Sequence, residues 1–170
     1  MRIGLGAATV CAACFTAAGE AAAQDPAFIT FGGGYYDVIR GDEPAADFRL
    51  EYRSDLELWV FKPWAGVEAT TDGAVYVAAG LLADIYLGNR IVVTPQAGLG
   101  YYNNGDGPDL GYPLEFRTGV EVGYRFDDRS RLALGFSHIS NADLGDRNPG
   151  TEIVTLTYSL PVGRLFGEEP

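Results

Sequence analysis

The stretch from Leu114 to Phe126 constrains the fold more than any other part of the chain. Leu114, Phe116, Val120, Val122, Tyr124 and Phe126 share one parity, with Thr118 among them, and Glu115, Arg117, Gly119, Glu121, Gly123 and Arg125 take the other. Alternate side chains of a strand lie on opposite faces, so one face is apolar and aromatic and the other carries charges and glycines. A soluble sandwich would turn the charged face to water. A small transmembrane barrel turns it inward and gives the apolar face to lipid.

The same alternation recurs. Phe48, Leu50 and Tyr52 alternate with Asp47, Arg49, Glu51 and Arg53. Val75 to Leu87 and Ile91 to Tyr101 repeat it with Gly80, Asp84, Gln96 and Gly98 on the second face. Eight strands are expected, near 28–38, 45–53, 57–68, 74–87, 91–102, 113–126, 130–140 and 150–162. Short links are expected at Ser54-Asp55-Leu56, Gly88-Asn89-Arg90 and Asp127-Asp128-Arg129, and long ones near 103–112 and 141–149. Short links gathered at one end are the pattern of periplasmic turns, and long ones that of outer loops. A lipocalin-like barrel would need an apolar interior, which Arg117, Glu121 and Arg125 contradict. The fold class expected is therefore all-β, an eight-stranded antiparallel outer-membrane β-barrel.

Residues 1–23 read as an export signal. Arg2 gives a positive start, Ile3 to Ala18 an apolar stretch, and Ala21-Ala22-Ala23 a small-residue cleavage site, which leaves 24–170 as the barrel domain. Cys11 and Cys14 both fall in the signal, so the mature chain has no disulfide, cysteine metal site or cysteine nucleophile. The net charge of -11 argues against nucleic acid as a partner. Without clustered histidines or cysteines, no metal or other cofactor is called for. The acidic loops, with Asp106, Asp109, Asp143 and Asp146, leave room for a bridging divalent ion toward an anionic substrate.

The strand near 130–140 holds an anomaly. Leu132, Leu134 and Phe136 set its lipid-facing parity, and the next two residues on that parity are His138 and Ser140. On the last strand Val154, Leu156, Tyr158 and Leu160 set the lipid face, and the preceding residue of that parity is Glu152. The single histidine, a serine and a glutamate thus meet outside one hairpin, at its long-loop end. His138 and Ser140 lie about 7 Å apart along the strand, and Glu152 is in reach from the partner strand. Serine needs a base, histidine has a suitable pKa, and a carboxylate fixes its tautomer. Two readings stay open on spacing alone: a catalytic trio, or a histidine at the membrane interface beside a loop-starting Ser140-Asn141 and a solvated Glu152.

The run His138-Ile139-Ser140-Asn141-Ala142, followed by Asn148-Pro149-Gly150 and then Glu152, resembles the signature of the PagL family of lipid A 3-O-deacylases. The motif covers about fifteen residues, and elsewhere the agreement is one of architecture. The resemblance implies an outer-membrane hydrolase that removes the ester-linked acyl chain at the 3-position of lipid A. It implies Ser140 as nucleophile, His138 as base and Glu152 as orienting acid, with Asn141 and Asn148 helping to build the substrate or oxyanion site. Lipopolysaccharide is then the substrate and outer-membrane lipid the surroundings. Two alternatives differ in class. A non-enzymatic anchor or adhesion barrel would be indifferent to Ser140→Ala, and a phospholipase-type esterase would prefer glycerophospholipid.

Overall fold

The computed structural model describes residues 25–167. Their strands are β1 (Phe28–Tyr36), β2 (Ala45–Arg53), β3 (Lys62–Thr70), β4 (Val75–Leu82), β5 (Ile85–Leu87), β6 (Ile91–Asn103), β7 (Leu114–Arg125), β8 (Arg131–Ser140) and β9 (Thr151–Pro161), followed by the one-turn helix α1 (Val162–Leu165). All ladders are antiparallel, β1 pairs with both β2 and β9, and β4 pairs with β6, so the sheet closes on itself. β4 and β5 face β6 in one continuous register, Leu82 opposite Gln96 and Ile85 opposite Val93. They are one strand interrupted at Ala83-Asp84, where Asp84 joins an interior ion cluster. The barrel is eight-stranded, as expected. The signal expected at 1–23 lies outside the described residues.

The parity read from the sequence holds around the wall. Val120, Val122 and Tyr124 are exposed on the outside, while Glu115, Arg117 and Glu121 are buried inside. Apolar side chains outside and charged ones inside make this a transmembrane barrel. One expected link is wrong. The connection after β2 spans residues 54–61 and not 54–56, because Leu58 to Phe61 form a separate tight hairpin and do not begin β3. Their apolar run reads as strand, but Trp59 adopts φ 66°, which reverses the chain.

The lumen is filled by paired charges. Arg53 grips Glu121 with two bonds of 2.8 and 2.7 Å. Arg117 bonds Glu68 at 3.0 Å, closes on Glu51, and lies 4.2 Å above the Trp64 ring. Gly98 makes room for that indole, since a Cβ there would stand 2.5 Å from Trp64 Cζ2. Toward the turn end, Arg131 bonds Asp84 at 2.9 Å and pairs with Asp25. Removing one member of a buried network strands its partners, which costs about 3–5 kcal/mol. Arg117→Ala leaves Glu51 and Glu68 short of a cation. The expected result is a marked fall in the urea midpoint of the micelle-refolded barrel. An unchanged midpoint would show that these pairs are not what holds the lumen together.

Candidate active site on the outer wall

β8 and β9 pair so that His138 stands directly opposite Glu152, Phe136 opposite Val154 and Leu134 opposite Leu156. On the other side of β8, Ser140 faces Phe116 and His138 faces Thr118. Strand geometry sends Leu132, Leu134, Phe136, His138 and Ser140 to one face, and the exposure of the first three identifies it as the outside. Val154, Leu156 and Tyr158 carry Glu152 outward in the same way. The trio therefore sits on the lipid-facing wall at the long-loop end, not in the lumen.

Two of the three are joined. His138 Nδ1 lies 3.0 Å from Glu152 Oε1, with the imidazole side chain 42% exposed and the carboxylate 20%. In the tautomer that donates Nδ1–H to this carboxylate, the ring's lone pair is on Nε2, the arrangement a general base needs. Among the described residues no hydrogen bond links Ser140 to His138. Such contacts are often open without substrate and close in the reacting complex.

The loop after Ser140 is held from below. Asn141 is fully buried, and its Nδ2 donates to the carbonyls of Leu110 and Arg147, each at 2.8 Å. Its backbone N–H donates to Asn148 Oδ1 at 3.0 Å. Asn141 thus ties the 104–113 loop to the 141–150 loop, and both amide hydrogens are spent on that tie. Asn148 uses only its carbonyl oxygen there, so its Nδ2 stays available as a donor. Ala142 and Asp143 both take left-handed φ values, 53° and 61°, and Leu144 N–H closes the turn onto Asn141 O at 3.1 Å. Two such non-glycine residues in succession store backbone strain next to Ser140, as functional sites often do.

The same two loops meet again at Asp109 and Arg147, which form an ion pair. The backbone N–H of Gly111, aided by Arg147, holds the Asp109 carboxyl below the usual carboxylate range. Inside the wall, Leu110 shares an apolar cluster with Ile139, Ile153, Tyr36 and Tyr102. This cluster backs the hairpin that carries the trio. Outside, a cleft of about 250 Å³ opens on the neighbouring hairpin, with Tyr101, Asn103, Asp109 and Tyr112 in its lining. No group of three or more His, Cys, Asp or Glu among the described residues is placed to hold a metal ion.

Gly150 was not singled out by the sequence, although Asn148-Pro149-Gly150 was part of the motif. It has φ 62°, and a Cβ built on it would lie 2.7 Å from His138 Cε1. The imidazole rests against its bare backbone. Its carbonyl accepts a hydrogen bond from Arg40, which itself pairs with Asp37. A Pro-Gly pair just before a strand, one residue short of Glu152, is the signal that points to it.

Comparison with known proteins bears on the family and the fold. Residues 41–161 match the family described as lipid A 3-O-deacylase (PagL). The lipid A deacylase PagL of Bordetella bronchiseptica is 26% identical over 99 residues, and the alignment covers 56% of this chain and 56% of that protein. The chain therefore matches little more than half the length of this relative. The crystal structure of the outer membrane enzyme PagL superposes with a TM-score of 0.60 at 19% identity, covering 79% of this chain and 99% of that one. A de novo designed transmembrane β-barrel gives a TM-score of 0.56 at 10% identity, covering 79% of this chain and 95% of the design, which speaks for the fold alone. Since the family match spans most of the barrel, the chain belongs to the PagL family of lipid A 3-O-deacylases.

Proposed function

We propose that this protein hydrolyses the ester that links an acyl chain to the 3-position of lipid A. The observation that carries the reading is the 3.0 Å His138–Glu152 bond on the lipid-facing wall, with Ser140 next on the same face. Ser140 Oγ attacks the ester carbonyl while His138 Nε2 takes its proton, and Glu152 holds the ring and stabilises the imidazolium. Collapse of the tetrahedral intermediate expels the sugar hydroxyl, which receives that proton from His138. Water, activated by the same histidine, then releases the 3-hydroxy fatty acid and frees Ser140.

The oxyanion needs donors already aimed at it, each worth about 2.7–4 kcal/mol. Asn148 Nδ2 and the strained backbone N–H groups of Ala142 and Asp143 are the candidates, and Asn141 supports them from beneath. No metal or other cofactor has a step in this scheme. Lipid A lies in the outer leaflet with its acyl chains parallel to the barrel wall. It therefore reaches the trio sideways, and no passage through the charged lumen is required.

Mass spectrometry of lipid A from cells with and without the protein tests the reading. The expected result is a mass loss equal to one 3-hydroxyacyl group, only when the protein is present. A shift confined to glycerophospholipids would make it a phospholipase, and no shift in either lipid would leave a non-enzymatic barrel.

A further inference from the structure

The three connections at the turn end of the barrel differ sharply. Those at 88–90 and 126–130 contain Asn89, Arg90, Asp127, Asp128 and Arg129. The one at 54–61 begins with the exposed acids Asp55 and Glu57 around Leu56 and ends on the uncharged run Leu58, Trp59, Val60 and Phe61, with these five apolar residues each 40–85% exposed. It is an ordered projection: Leu58 and Phe61 exchange backbone hydrogen bonds of 2.7 and 3.2 Å, and Trp59 turns the chain between them. Leu58 and Phe61 are paired and share one face, and Trp59 and Val60 form the turn, so the tip presents only apolar side chains.

We propose that this finger inserts into lipid at the headgroup–acyl boundary of the periplasmic leaflet. Its position supports a lipid occupant, because it prolongs the lipid-facing surface. Phe61 has the same parity as Pro63, Ala65 and Val67 on the outer face of β3, and Leu50 and Tyr52 on β2 stand beside them. The apolar belt of the barrel thus runs unbroken from the wall into the finger. Tryptophan favours this depth, where its ring meets acyl chains and its N–H meets headgroups. In strand order the finger is across the barrel from the β7–β8 hairpin, and it takes no part in the outer-wall site.

The two tryptophans of the chain make this measurable. Trp59 is 85% exposed, whereas Trp64 is buried in the lumen beneath Arg117. The full chain and its Trp59→Phe variant are reconstituted in phosphatidylcholine vesicles with plain or brominated acyl chains. Brominated chains are expected to remove the part of the emission that Trp59→Phe lacks, while acrylamide in the water leaves that part intact. Quenching of Trp59 by acrylamide and not by brominated lipid would overturn the proposal. So would shielding from both quenchers, which would mark a protein interface. Trp59→Phe changes an exposed tip and keeps its apolar character, so loss of the barrel is not expected. Wild-type activity of that variant in micelles provides the folding control.

Discussion

Purified Ser140→Ala protein is expected to fold into the same heat-modifiable barrel and to release no measurable 3-hydroxy fatty acid from lipid A. Removing the nucleophile of a serine triad costs up to about 10⁶-fold in turnover, and His138→Ala should match it, because serine and histidine act as a unit. Glu152→Gln should be milder by roughly ten- to a hundredfold, since the acid orients the ring and transfers no proton itself. The 3.0 Å bond supplies the reason for any loss at Glu152: a glutamine can hold the ring in place but offers no charge to the imidazolium. Initial rates on lipid A in detergent would rank the three variants. Full activity in Ser140→Ala would remove serine catalysis, and a Glu152→Gln loss larger than that of His138→Ala would reverse the assigned roles.

The wall of the barrel was legible because membrane and lumen impose opposite demands on alternate residues. Arg117, Glu121 and Arg125 set against Val120, Val122 and Tyr124 leave few other folds open. The outward placement of His138, Ser140 and Glu152 followed from the same parity, since a regular strand cannot turn one side chain in and its i+2 neighbour out. The 54–61 connection was not legible. Its apolar residues continue the pattern of a strand, and only the left-handed backbone of Trp59 sets them apart. Sequence patterns carry side-chain polarity, whereas this turn depends on a dihedral angle in a residue type that seldom adopts it.

The supporting groups of the site were harder to read for a related reason. Asn141 is next to the candidate nucleophile, where an amide invites an oxyanion role. Its use is decided by Leu110, a residue 31 positions away whose carbonyl takes one of its hydrogens. Loop-to-loop contacts of that separation leave no local pattern in a single sequence. Leu110 itself reads as a stray apolar residue in a polar loop, yet it is 1% exposed and packs behind the hairpin with Ile139 and Ile153.

Gly150→Ala is expected to cut turnover on lipid A about a hundredfold with little change in KM, because it displaces the base and not the lipid. The added methyl would stand 2.7 Å from His138 Cε1, closer than two carbon atoms can approach, and the ring would have to swing off Gly150 and away from its alignment with Ser140. A misplacement of about 1 Å costs on the order of 10²-fold in rate. Alanine also pays a second cost unrelated to catalysis, about 1–2 kcal/mol for the left-handed backbone at φ 62°. Gly150→Asn separates the two effects. Asparagine visits that backbone region more readily than alanine but brings the same Cβ. If contact with His138 is what matters, both variants lose turnover alike, while the urea midpoint falls further for alanine than for asparagine. Near-normal turnover in Gly150→Asn would show instead that the glycine serves only the backbone, and that His138 finds its position without it.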